Sequence, residues 1–105
     1  MKVYISGKIS DLHVDDFTRE FKKASNYLTE LGHEPVNPIE LNHDHEYADL
    51  LPTPLEKWCY YMDIDMQALI RCEAIFMLSN WQTSKGARIE RAIAHEMGLP
   101  IMYQQ

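Results

Sequence analysis

Ala74-Ile75-Phe76-Met77-Leu78 is the stretch that decides the fold class. It is an unbroken apolar run of strand length, flanked by Glu73 and Ser79. A strand with no polar face must be covered on both sides, as the central strands of parallel sheets are. Upstream, Thr53-Pro54 has the chemistry of a helix start: a capping residue, then Pro in the first helical position. Glu56, three residues after Thr53, completes a capping-box pattern. Trp58, Tyr61, Met62, Asp65, Met66, Leu69 and Ile70 then follow at helical spacing, predicting a helix to about Arg71. Downstream, residues 80–83 read as a loop. Ser84 can cap a helix running through Ala87, Ile89, Ile93 and Met97. Gly98 ends that helix and Pro100 follows at a typical distance. Residues 99–103 form a last short strand.

The first half repeats the pattern. Residues 2–6 read as a buried strand closed by Gly7. Val14, Phe17, Phe21, Ala24, Leu28 and Leu31 make the apolar face of a helix that begins at Asp11 or Val14 and stops before Gly32. Residues 33–37 predict a second strand, with Val36 as its buried residue. Residues 39–53 show no period; a loop this long in a small domain is usually functional or mobile. The order β-α-β-loop-α-β-α-β predicts parallel strands with helices on both faces. The fold class is α/β: a small Rossmann- or flavodoxin-like sheet of four to five strands, in a single domain over residues 1–105.

Bulk properties narrow the partners. Ten Lys and Arg against sixteen Asp and Glu give a formal net charge of −6. That disfavours a nucleic-acid backbone, which requires a basic face. No run of eighteen apolar residues is present, so no membrane span or membrane partner is expected. The opening residues lack the apolar stretch of a leader peptide, and a cytoplasmic protein is expected. Cys59 and Cys72 fit no metal or redox spacing and read as small buried helix residues. In a chain of 105 residues the core is thin, so self-association would help it.

In open parallel sheets, ligands bind beyond the carboxyl ends of the strands. Three segments lie there: the turn Ser6-Gly7-Lys8-Ile9-Ser10, the loop after Val36, and residues 79–86. The first has a single Gly and is neither GxGxxG nor a P-loop. Ser84-Lys85-Gly86 opens a helix, whose free amides and dipole attract anions; a plain Ser cap explains the same residues. Glu90, six residues after Ser84, sits in the first two turns, where the dipole favours a carboxylate anion. Asp65 is the candidate partner, because an Asp on an apolar helix face is costly unless hydrogen-bonded. Asp63 competes, and reads as the more solvent-facing of the two.

Taken together, these residues resemble the nucleoside 2-deoxyribosyltransferase superfamily. The resemblance rests on Tyr4-Ile5-Ser6-Gly7-Lys8-Ile9-Ser10, on Asp65 with residues 72–78, on Ser84-Lys85-Gly86-Ala87-Arg88-Ile89-Glu90, and on residues 96–101. It spans nearly the whole chain except about residues 38–55. The most similar pattern is that of the 2′-deoxynucleoside 5′-phosphate N-hydrolase branch. That resemblance implies cleavage or transfer at an N-glycosidic bond of a nucleoside or its 5′-monophosphate. It places Glu90 as nucleophile, Asp65 as assistant to base or sugar, and Tyr4 as a lining residue. Gly7, Lys8, Ile9, Ser10, Ser84 and Gly86 become substrate-binding positions, with Ser84 near the phosphate, Gly7 admitting the ligand to the backbone, and Ile9 touching the base. It implies no cofactor or metal, and a homodimer or larger homo-oligomer, for which Trp58, Tyr60, Tyr61 and Met62 offer an apolar surface if they are not core.

Two features depart from the pattern. Lys85 stands where transferases carry an acid, which favours a phosphate-tolerant site. An Arg expected near Ser10 is missing, and Lys8 is the substitute. A second reading therefore stays open: the same pocket binding a nucleotide or an ADP-ribose-like molecule without turnover. A third, a metal at Asn42-His43-Asp44-His45-Glu46, competes with a solvated polar loop, and the latter is favoured.

Overall fold

The computed structural model describes residues 1–105. Four parallel strands, β1 (Lys2–Ser6), β2 (Glu34–Val36), β3 (Ala74–Met77) and β4 (Ile101–Tyr103), form one sheet in the order β2-β1-β3-β4. The helices are α1 (Val14–Glu30), α2 (His45–Asp49), α3 (Pro54–Leu69) and α4 (Lys85–Glu96). The α/β class with helices on both faces holds, with four strands.

Strand alternation sorts the core into two layers. Val3 and Ile5 of β1 and Phe76 of β3 point toward Phe21, Ala24 and Leu28 of α1. Tyr4, Ile75 and Met77 point the other way, toward Leu69 of α3 and Ala87 and Ala94 of α4. Ser6 lies opposite Met77 in the parallel register, so the carboxyl ends of the two central strands emerge side by side. The chain winds outward in opposite directions from β1 and β3, which makes this the switch point where such sheets open a crevice.

Local chemistry sets the boundaries. Asp11 has φ +67°, in the left-handed region, which excludes it from a helix; α1 starts at Val14, with the His13 side chain accepting from Asp15 N. Thr53 Oγ1 accepts from Glu56 N at 3.1 Å, half of the capping box; the reciprocal bond from the Glu56 side chain is not formed. Gly7 is required by its neighbour: a Cβ there would lie 2.5 Å from Leu78 Cδ1. Gly7 therefore serves the packing of the β1 turn against the residue after β3, a constraint the sequence did not signal.

The aperiodic stretch after β2 is less open than the sequence suggests. A 310 turn occupies Pro38–Glu40 and α2 follows, with Asp44 capping Tyr47 N. The cysteines also differ from expectation. Cys59 is exposed on α3, and Cys72 is buried but lies in the turn before β3.

Candidate functional site

Alternation along β1 puts Tyr4 and Ser6 on the same face, beneath α4. Both hydroxyls donate to one carboxylate: Tyr4 OH to Glu90 Oε2 at 2.6 Å and Ser6 Oγ to Glu90 Oε1 at 2.6 Å. Such short bonds are typical of hydroxyls on an ionised oxygen. All three residues are buried, Glu90 being 5% exposed. Burial, the dominant influence, pushes the Glu90 carboxyl up to about 7; the two hydroxyls oppose this and the nearby Asp65 adds to it. The direction is opposite to the anion-favouring expectation for a helix N-terminus, because burial outweighs the two hydroxyl bonds. Tyr4 is raised well above the ordinary phenol, by burial first and then by the Glu90 charge.

Glu90 opens onto a small cavity of about 100 Å³ whose walls include Gly7, Ser10, Ser84, Gly86 and Asp65. Trp58 and Met62 of α3 close its outer side, and the Lys85 ammonium lies 4.1 Å from the centre of the Trp58 ring. Ser84 Oγ accepts from Ala87 N at 3.1 Å, so Ser84 is an N-cap. An accepting hydroxyl still has its own proton to donate, and the first amides of a helix have no carbonyl partner within it.

A larger cleft of about 350 Å³ adjoins this cavity, sharing Ile9 and Asp65 with it. Phe17, Pro38 and Ile39 give it apolar walls, and His43, His45 and Tyr61 its polar rim. Asp65 thus sits between the two spaces. Its Oδ1 is 2.9 Å from His43 Nε2, and both side chains are nearly buried, at 12% and 9% exposure. Burial raises the Asp65 carboxyl, and the His43 contact pulls it back down. Asp63, by contrast, is exposed and accepts from Gln67 Nε2.

The structure brings Gly7, Ile9, Ser10, Asp65, Ser84, Gly86 and Glu90 around two adjoining spaces, whereas Tyr4, expected to line them, is fully buried and reaches the site only through Glu90. Lys8 is not in either lining; its backbone N–H donates to Asn80 Oδ1 at 3.0 Å, tying the β1 turn to the loop after β3. Sequence reasoning missed two residues. Ser6 was signalled by its two-residue spacing from Tyr4. His43 was read as part of a solvated tract, and is instead turned inward; only its arrival at Asp65 reveals it. His45 goes to a different partner, Tyr61 OH, at 2.7 Å, so the two imidazoles do not converge. Of the four residues expected to offer an apolar surface, Trp58 and Met62 wall the small cavity, Tyr61 the large one, and Tyr60 packs on Tyr47.

The comparisons fit this architecture. Among solved structures, a 2-deoxyribosyltransferase from the psychrotolerant bacterium Bacillus psychrosaccharolyticus, described as a biocatalyst for nucleoside synthesis, superposes with a TM-score of 0.64 at 18% sequence identity. The match covers 98% of this chain and 71% of that one, and shows a shared fold. No curated protein matches the sequence. The family model described as "Domain of unknown function (DUF4406)" matches residues 1–103, and the chain belongs to that family. No helix is long and apolar enough to cross a membrane.

Proposed function

We propose that this protein cleaves or transfers at the N-glycosidic bond of a nucleoside or nucleoside 5′-monophosphate, with Glu90 as nucleophile. One observation carries the reading: a buried carboxylate, each oxygen bonded by its own hydroxyl at 2.6 Å, facing a cavity that a second carboxyl, Asp65, also lines. Two carboxyl groups at one sugar-sized space are the equipment of retaining glycoside chemistry. In the first half-reaction a Glu90 oxygen bonds to the anomeric carbon and the bond to the base breaks. In the second, water or another base displaces Glu90, giving hydrolysis or transfer. Tyr4 and Ser6 fix the carboxylate's orientation before substrate arrives, so little reorganisation remains for the transition state.

The cavities divide the substrate. The sugar lies over Glu90, and the flat apolar cleft of Ile9, Phe17 and Ile39 takes the base. The α4 N-terminus, with Ser84 and Gly86, faces Ser10 across the small cavity and suits a 5′-phosphate. Lys85, held over Trp58 at the margin, adds positive charge there.

The test is a panel of deoxynucleosides, ribonucleosides and their 5′-monophosphates, with and without a second free base, followed by chromatography. Base release or exchange should occur and fall by about 10⁴-fold or more in Glu90→Ala, the scale seen when a nucleophile is removed. Dependence on the phosphate would identify the hydrolase branch, and exchange on free nucleosides the transferase branch. Binding of these ligands with no turnover would sink the enzyme reading in favour of a non-catalytic nucleotide-binding module.

A further inference from the structure

His43 is the one side chain of the aperiodic segment that bonds a carboxyl of the site. It lies 22 residues before Asp65 in sequence, and its Nε2 is 2.9 Å from Asp65 Oδ1. Its ring is itself held, packed on Tyr61 with centroids 5.2 Å apart. Asp65 Oδ1 is therefore occupied. Oδ2 has no hydrogen bond within the chain, and no fully buried polar atom lacks a partner, so Oδ2 is accessible where Asp65 lines the two spaces. An oriented carboxyl with one oxygen held and the other free is arranged for proton transfer in one direction.

Resting on the glycosidic reading of the site, we propose that His43 is the positioning residue for Asp65, fixing Oδ1 through its Nε2–H so that Oδ2 gives a proton to the departing base and later takes one from water. The proton account closes. In the first half-reaction the Glu90 oxygen bonds to the anomeric carbon, and the electron pair of the breaking C–N bond moves onto the base. The Oδ2 proton neutralises that base, and the Asp65 carboxylate left behind accepts from His43 Nε2–H. In the second half-reaction water bonds to the anomeric carbon and the Glu90 ester bond breaks, returning its electron pair to Glu90. The water proton passes to Oδ2. The net products are free base and the sugar with a new hydroxyl. His43 makes and breaks no bond to sugar or base in these steps, although its ring lines the rim of the cleft assigned to the base.

Other titratable groups face the pair. They are Tyr4 from β1, Glu90 from α4, Tyr61 from α3 and His45 from α2. Among them His43 is the neighbour that favours the Asp65 anion. Removing it therefore moves the alkaline limb of the kcat profile, where Asp65 loses its proton, to higher pH.

The experiment compares base release by wild type, His43→Ala, His43→Met and His43→Gln, each checked for folding by circular dichroism and thermal melting. Met fills the space without a donor and replaces Ala in the comparison should Ala fail to fold. Gln supplies a donor to Oδ1. The donor-free variants should lose about 10- to 100-fold in kcat with KM nearly unchanged, and their alkaline limb should move up. His43→Gln should recover most of kcat. A rise in KM with kcat intact, an unmoved alkaline limb, or a Gln variant as poor as the donor-free ones would overturn the proposal while leaving the glycosidic reading standing. Wild type that releases no base from any substrate would overturn both.

Discussion

Glu90 and Asp65 line the same cavity but are held in opposite ways. Glu90 is at the floor, gripped by two hydroxyls from a central strand, with both oxygens engaged. Asp65 stands at the edge between two spaces, gripped on one oxygen by a residue from an irregular segment. The first arrangement keeps a charge fixed in place. The second leaves an oxygen free to gain and lose a proton. The proposed division of labour between Glu90 as nucleophile and Asp65 as acid thus follows from which part of the scaffold supplies each partner.

Stability against pH gives the largest separation between the two. A carboxyl raised from 4.5 to about 7 binds its proton more tightly folded than unfolded, so its contribution is greatest at low pH. Stability is lost as pH climbs through that window and levels off above it. Fully expressed, the shift of Glu90 corresponds to about 3 kcal/mol. Thermal melts from pH 5 to 8 should fall for wild type and flatten for Glu90→Gln, which should be the more stable protein at pH 8. Asp65→Asn should flatten the curve less. Equal slopes in all three proteins would erase the distinction between floor and edge.

The grip on Glu90 comes next. Tyr4→Phe removes one charge-assisted hydrogen bond, worth about 1.5–3 kcal/mol. Base release at neutral pH should drop by about tenfold or more, and the acidic limb, which follows ionisation of Glu90, should move to higher pH. The loss should shrink at pH 9. A rate loss that is constant with pH would mean that Tyr4 contacts substrate and does not tune Glu90.

The smallest effect concerns the rim. Ser84→Ala deletes the acceptor for Ala87 N and should cost about 1 kcal/mol in denaturant unfolding. Ser84→Gly should cost only a few tenths. If Ser84 also binds phosphate, both variants lose preference for 5′-monophosphates equally despite their unequal stability. A preference that survives in both confines Ser84 to capping.

These two regions also differ in how far the sequence discloses them. The apolar run at residues 74–78, the Thr53 and Ser84 caps and the glycines past α1 and α4 obey local rules, and the elements form where those rules put them. Tyr4 and Glu90 sit in such elements, so the resemblance could align them, and the structure joins them. Ser6 was readable by the same alternation that buries Tyr4. His43 was not, because residues 38–53 carry no period and polar residues there look solvated. What turns the imidazole inward is a carboxyl on another helix, and no local pattern encodes that. Gly7 was visible but its close packing on Leu78 was not, since Leu78 lies 71 positions away.

Tyr4 and Glu90 are 86 positions apart, and Ser6 and Glu90 84. During synthesis, β1 leaves the ribosome first but becomes a central strand, with β2 on one side and β3 on the other. Chains grow at about 5–20 residues per second, so the two hydroxyls wait several seconds for their carboxylate. No amino-terminal fragment ending before α4 contains a site, and truncated chains should be catalytically silent even where β1, α1 and β2 have begun to associate. The proposed site is thus completed only by the last helix of the chain, after three of the four strands have been made.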